Sequence, residues 1–202
     1  MGCQFARNSP SPAVDLPDSQ TSFSSKTLLL GETKVGKTSV ANRLCSNRFS
    51  DDYMVTIGGT YLQKRLNLSS NELIYHLWDC CGDERFASLL PVIWKDANAV
   101  IFVYDVSNVE SFEKINHWRK NLLDMVPPGK IVQGLVGNKT DLNTKDVDLC
   151  EAKKYAEENQ MYFAEISAKN GEGIDYFFYG FAEKILRHFK SGSLKQQKQQ
   201  KK

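Results

Sequence analysis

The stretch GETKVGKTS, from Gly31 to Ser39, most constrains what this chain can fold into. It follows the apolar run KTLLLG, which reads as a buried strand. It opens KTSVANRLCSNRF, whose apolar residues recur at helical spacing. Gly31, Gly36, Lys37 and Thr38 satisfy G-x-x-x-x-G-K-[ST]. Glycines let backbone N–H groups wrap a phosphate. The helix N-terminus adds partial positive charge, Lys37 neutralises phosphate oxygens, and the Thr38 hydroxyl suits Mg²⁺. The motif specifies a phosphate but not a base.

Strand and helix patterns alternate downstream. TYLQKRLNL and ELIYHLW read as two strands of a hairpin joined by Ser-Ser-Asn-Glu. AVIFVYD and IVQGLVGNK are continuous apolar runs, as expected of parallel strands covered on both faces. MYFAEIS supplies a last strand, and three segments between and after these runs carry helical periods. The sum is an open, mostly parallel α/β sheet with helices on both faces and one antiparallel edge. With 202 residues the chain fits one domain, expected over 26–190. Residues 1–25 are rich in Ser, Pro, Asp and Gln and lack periodicity, so a disordered arm is expected. The tail SGSLKQQKQQKK, residues 191–202, is basic, low in complexity and also expected to be disordered.

Composition excludes several classes. A net charge of +2 gives no argument for nucleic acid, and none is expected as a partner. The longest apolar run, near AVIFVY, falls far short of a membrane span. The start lacks a secretory signal, which points to the cytoplasm. The five cysteines are odd in number and without metal-ligand spacing.

GNKTD, Gly137 to Asp141, ends a buried strand, at the carboxyl end of the sheet where α/β folds bind ligands. N-K-x-D resembles the guanine-reading motif of Ras-like GTPases. That resemblance implies a three-layer P-loop NTPase fold of six strands and five helices. It implies that Asp141 accepts from the guanine N1–H and 2-amino group, that Asn138 braces the loop, and that Lys139 lies along the ring. Ser167, Ala168 and Lys169 of ISAKN match the loop that reaches the guanine O6, and Phe49 matches an aromatic against the base. Thr33, Lys34, Val35 and Ser39 join Gly31, Gly36, Lys37 and Thr38 on the phosphates.

The same resemblance assigns the switches. Thr56 of TIGG would complete the Mg²⁺ shell with Thr38 and Asp79 when the γ-phosphate is present. The Gly82 N–H would bond that phosphate. GTP would order both segments and GDP relax them. Together GETKVGKTS, TIGG, WDCCGDERF and LVGNKTDL are similar to the Rab branch over about residues 26–190, leaning toward early-endosomal members. The expected activity is hydrolysis of GTP to GDP and phosphate in the service of vesicle traffic. Partners would be an exchange factor, a GTPase-activating protein and effectors. Tyr61 and Trp78 match two positions of an effector-facing aromatic triad, and Ile93, beside Trp94, takes the third.

Two departures shape the expectations. Asp83 stands where the family has a water-orienting glutamine, so the catalytic set is Lys37, Thr56, Gly82 and Asp83, with slow intrinsic turnover. A GTP-bound scaffold that does not cycle is the alternative. An ATP-using enzyme is disfavoured by NKTD. Cysteine is absent after Cys150, so a prenyl anchor is not expected. MGCQFA offers Gly2 for myristate and Cys3 for palmitate, although Ala6 misses the strict motif. Attachment to the cytosolic face of endosomal or other vesicle membranes would follow.

Overall fold

Leu28 and Leu30 point to one side of their strand and Leu29 to the other, as the two-residue period of a strand demands. All three are at most 1% exposed, so helices cover both sides. Burial of such a side chain contributes about 1.5–3 kcal/mol. In the computed structural model, residues 21–199 are described except 53, 70, 84–89 and 128, with backbone only for 193–199.

The chain order is β1 (Thr21–Leu30), α1 (Lys37–Ser46), β2 (Gly59–Leu68), β3 (Asn71–Cys80), α2 (Leu90–Trp94) and β4 (Ala99–Asp105). It continues with α3 (Val109–Glu113), α4 (Ile115–Leu123), β5 (Val132–Asn138), α5 (Leu149–Glu158), β6 (Tyr162–Glu165) and α6 (Ile174–Gln199). Lys114 separates α3 from α4 with helical dihedrals, so the two are halves of one helix and five helices flank the sheet. The sheet order is β2-β3-β1-β4-β5-β6. Among the described residues only β2 and β3 pair antiparallel. This is the expected P-loop arrangement. Order reverses at β1, between β3 and β4, which opens a crevice beyond the carboxyl ends of the strands.

Val40, Ala41 and Leu44 of α1 share one core cluster with Phe177, Phe178 and Phe181 of α6. Ile115, Trp118 and Leu122 of α4 share the opposite one with Ala152 and Ala156 of α5.

Three local expectations need correction. β1 begins at Thr21, so the last five residues of the expected arm are strand. They pair with Asn71–Tyr75, Phe23 stacks on Phe189 at 6.2 Å, and Ser25 is fully buried against Thr27. The hairpin turn is shorter than four residues, because Asn71 and Glu72 already pair in β3. The start of the expected disordered tail continues α6 to Gln199. Gly2, Cys3 and residues 1–20 lie outside the described residues. Among the described residues no helix is long and apolar enough to cross a membrane.

Candidate nucleotide-binding site

The loop from Gly31 to Gly36 joins β1 to α1 at the crevice. Gly36 precedes α1 with φ 94° and carries no capping side chain, and the first turn of α1 holds no acid. The helix N-terminus therefore keeps its N–H groups and partial positive charge for an anion. A Cβ on Gly36 would lie 2.3 Å from Asn138 Nδ2, so only glycine fits. Lys37 is 6% exposed, and its ammonium donates to the Gly31 and Glu32 carbonyls at 2.9 and 2.7 Å. Burial pulls its pKa down, and the Asp79 charge opposes that. A cation so placed is stabilised by an anion entering the loop.

Beside it, Thr38 Oγ1 donates to Asp79 Oδ2 at 2.6 Å. Thr56 Oγ1 lies 3.1 Å from Thr38 Oγ1 and 3.4 Å from Asp79 Oδ2. Asp79 is fully buried and its Oδ1 has no hydrogen-bond partner. Burial pushes its pKa up, while the Thr38 bond and Lys37 pull the other way. An orphaned carboxylate oxygen among hydroxyls is a hard-oxygen donor set and fits Mg²⁺, which keeps water and phosphate for its remaining positions. Bound there, Mg²⁺ would neutralise phosphate oxygens.

The opposite end of the cleft is tied by side chains across loops. Asn138 Nδ2 donates to the Val35 carbonyl at 2.8 Å, and its Oδ1 accepts from the Ala168 N–H at 3.0 Å. Ser167 Oγ donates to Asp141 Oδ1. Lys139, at φ 73°, pairs with Asp105 at 2.6 Å. Burial works against the Asp105 charge, but its bonds to Lys139 and Ser107 win and hold its pKa low. Arg43 donates to the Ala168 and Lys169 carbonyls at 2.8 and 2.5 Å.

The resulting cleft holds about 850 Å³. Thr33, Lys34, Gly36, Lys37, Thr38, Ser39, Phe49, Thr56, Gly82, Asn138, Lys139, Asp141, Ala168 and Lys169 all line it. Gly31, Val35, Asp79 and Ser167 stand behind that wall, and Asp83 is not part of it. Asp83 is half-buried, with its N–H donating to Cys81 Sγ at 3.4 Å. Gly82 packs so tightly on the loop that a Cβ would lie 2.5 Å from both the Gly31 carbonyl and the Lys37 ammonium. Arg43 and Asp105 were not foreseen. Their partners are distant in sequence, and neither falls in a motif.

Cys80, beside this corner, behaves as a packing group. Cys80 is fully buried, and burial pushes its thiol up to about 12. A thiol so held stays protonated and unreactive.

The Ras family profile matches residues 26–187. The chain belongs to the Ras family. It is similar to the Ras-related protein Rab-21 of mouse, 38% identical over 165 residues, which span 81% of this chain and 74% of that protein. Human Rab-21 is 37% identical, with 81% and 73% covered. Mouse Rab-17 is 36% identical over 180 residues, with 87% and 84% covered. This Ras-family chain is a small GTPase of the Rab type. It binds GTP and GDP, hydrolyses GTP and regulates vesicle traffic. The alternative of a non-cycling scaffold finds no support in these relatives.

As a Rab-type surface, the sheet presents Tyr61, 48% exposed, edge-on to Trp78 at 5.6 Å. Trp94 is 3% exposed and turned into the core, so it does not replace the third aromatic. Ile93 packs half-buried beside Gly59.

Proposed function

We propose that this small GTPase holds Mg²⁺ and GTP with the residues named above and turns over slowly unaided. Asn138 at the centre of the cleft supports this most directly, because it ties the phosphate loop to the loop after β6. Guanine would bond Asp141 and a backbone N–H of the Ser167–Lys169 loop, flanked by Lys139, Lys169 and Phe49. The β- and γ-phosphates would take the N–H groups of Thr33 to Ser39 and the Lys37 ammonium. Thr38, Thr56 and Asp79 would hold Mg²⁺.

In hydrolysis the Lys37 ammonium and Gly82 N–H would oppose charge building on the γ-phosphoryl oxygens. The Asp83 side chain would accept from water but has no N–H to give a phosphate oxygen, and its charge would repel that group. The Thr33 side chain crowds it further. Thr56 and Gly82 sit in the segments that would report the γ-phosphate to exchange factor, activating protein and effectors. Purified protein is expected to carry guanine nucleotide and to release phosphate from GTP only with Mg²⁺. Equal competition by ATP would contradict this.

Acylation of Gly2 and Cys3 would attach the protein to endosomal or other vesicle membranes. One myristoyl chain binds membranes only marginally, with K on the order of 10⁴ M⁻¹. Cys3 acylation and the tail lysines Lys195, Lys198, Lys201 and Lys202 would add the second signal. Incorporation of a myristate probe that survives Gly2→Ala would refute the first step.

A further inference from the structure

Glu32 belongs to the phosphate loop by sequence, yet its carboxylate does not line the cleft. It reaches the helix pair α3–α4. Trp118 Nε1 donates to Glu32 Oε1 at 3.1 Å, and Lys114 Nζ donates to Oε2 at 3.3 Å. Trp118 is 2% exposed in the α4-side core, so its indole is a fixed anchor. Lys114 is the residue at which the helix is interrupted, and it also pairs with Glu110 at 3.1 Å. The Glu32 backbone meanwhile accepts from the Lys37 ammonium at 2.7 Å, and its carbonyl carbon lies 2.6 Å from the Cβ that Gly82 lacks. One residue therefore touches the phosphate-binding lysine, the second switch and α3–α4.

The electrostatics are unusual for a phosphate site. The Glu32 side chain is only 18% exposed, so water screens its charge weakly. Left alone, that charge would oppose a triphosphate held one residue away. Lys114 supplies the cation that cancels it, while the Trp118 N–H satisfies the other oxygen without adding charge.

We propose that Glu32, Trp118 and Lys114 form a positioning cluster that fixes the phosphate loop against α3–α4, with Lys114 cancelling the Glu32 charge so that nucleotide is retained. The cluster touches no substrate and acts through the loop. The inference rests on the phosphate-loop reading of the cleft.

The test is the dissociation rate of GDP from the full chain, in wild type, Lys114→Met, Glu32→Gln and the double variant. Methionine keeps the stem of Lys114 and removes its charge. Glutamine keeps an oxygen for Trp118 and removes the charge of Glu32. Lys114→Met is expected to release GDP about tenfold faster, an effect of one partly screened charge. Adding Glu32→Gln is expected to restore the rate to within about threefold of wild type, because the charge then left without Lys114 is that of Glu110, which is 72% exposed and screened by water. A purely structural role for Lys114 would leave the double variant as fast as Lys114→Met, and that result overturns the proposal. So does an unchanged rate in Lys114→Met. Failure of wild-type protein to bind GDP would instead overturn the phosphate-loop reading itself.

Discussion

Asp83→Gln is expected to hydrolyse bound GTP about ten- to a hundredfold faster than the wild type in a single turnover, a barrier lower by about 1.4–2.8 kcal/mol. Glutamine restores a neutral amide one methylene longer, with an oxygen to orient water and N–H groups to face the phosphoryl oxygens. Aspartate offers only the first of these and adds repulsion. In the structure Asp83 stands just outside the cleft wall, beside Gly82, which packs directly on the phosphate loop. The comparison must be made without an activating protein, because Rab-activating domains typically bring their own Arg and Gln. Equal single-turnover rates for the two proteins would show that Asp83 is not the brake.

The legible parts of this molecule were those whose chemistry sits in contiguous residues. GETKVGKTS could be read because a phosphate loop needs its glycines, lysine and threonine at fixed offsets, and Gly36 indeed holds a backbone angle that disfavours other residues. NKTD and ISAKN are contiguous in the same way, and the structure joins them through Asn138 and the Ala168 N–H. The strands were legible because parallel strands covered on both faces must be apolar throughout; β4 is buried at every residue.

What stayed hidden depends on partners distant in sequence. Trp118 reads as one more core aromatic on α4, and only the folded chain puts its N–H on Glu32, 86 residues away. Arg43 reads as a solvated helix residue, yet it braces the loop after β6 from 125 residues away. The start of β1 was hidden because Thr-Ser-Phe-Ser-Ser resembles a polar linker. Phe189, in the second half of α6, gives Phe23 something to stack on. Trp94 offered no reading of its direction, since five residues of α2 give too few turns for a periodic face.

The central claim is that the carboxylate at position 141 selects guanine. Ser167 Oγ fills one lone pair of Asp141 Oδ1 and orients the group toward the cleft that Lys139 and Lys169 also line. A carboxylate so held is matched by a purine presenting N1–H and a 2-amino group together. Adenine offers no such pair. Xanthine replaces the amino donor with a carbonyl, which a carboxylate repels and to which an amide N–H donates. Asp141→Asn keeps the size of the side chain and the acceptor facing Ser167, so the loop should survive it. The two charge-assisted hydrogen bonds to guanine, worth about 1.5–3 kcal/mol each, are then lost, and an amide N–H faces the guanine donors instead. The decisive measurement is the ratio of GTP to XTP affinity, by competition for the cleft, in wild type and Asp141→Asn. The account predicts a strong guanine preference in wild type that falls by at least about a hundredfold in the variant and turns toward xanthine. An unaltered ratio in Asp141→Asn would contradict it.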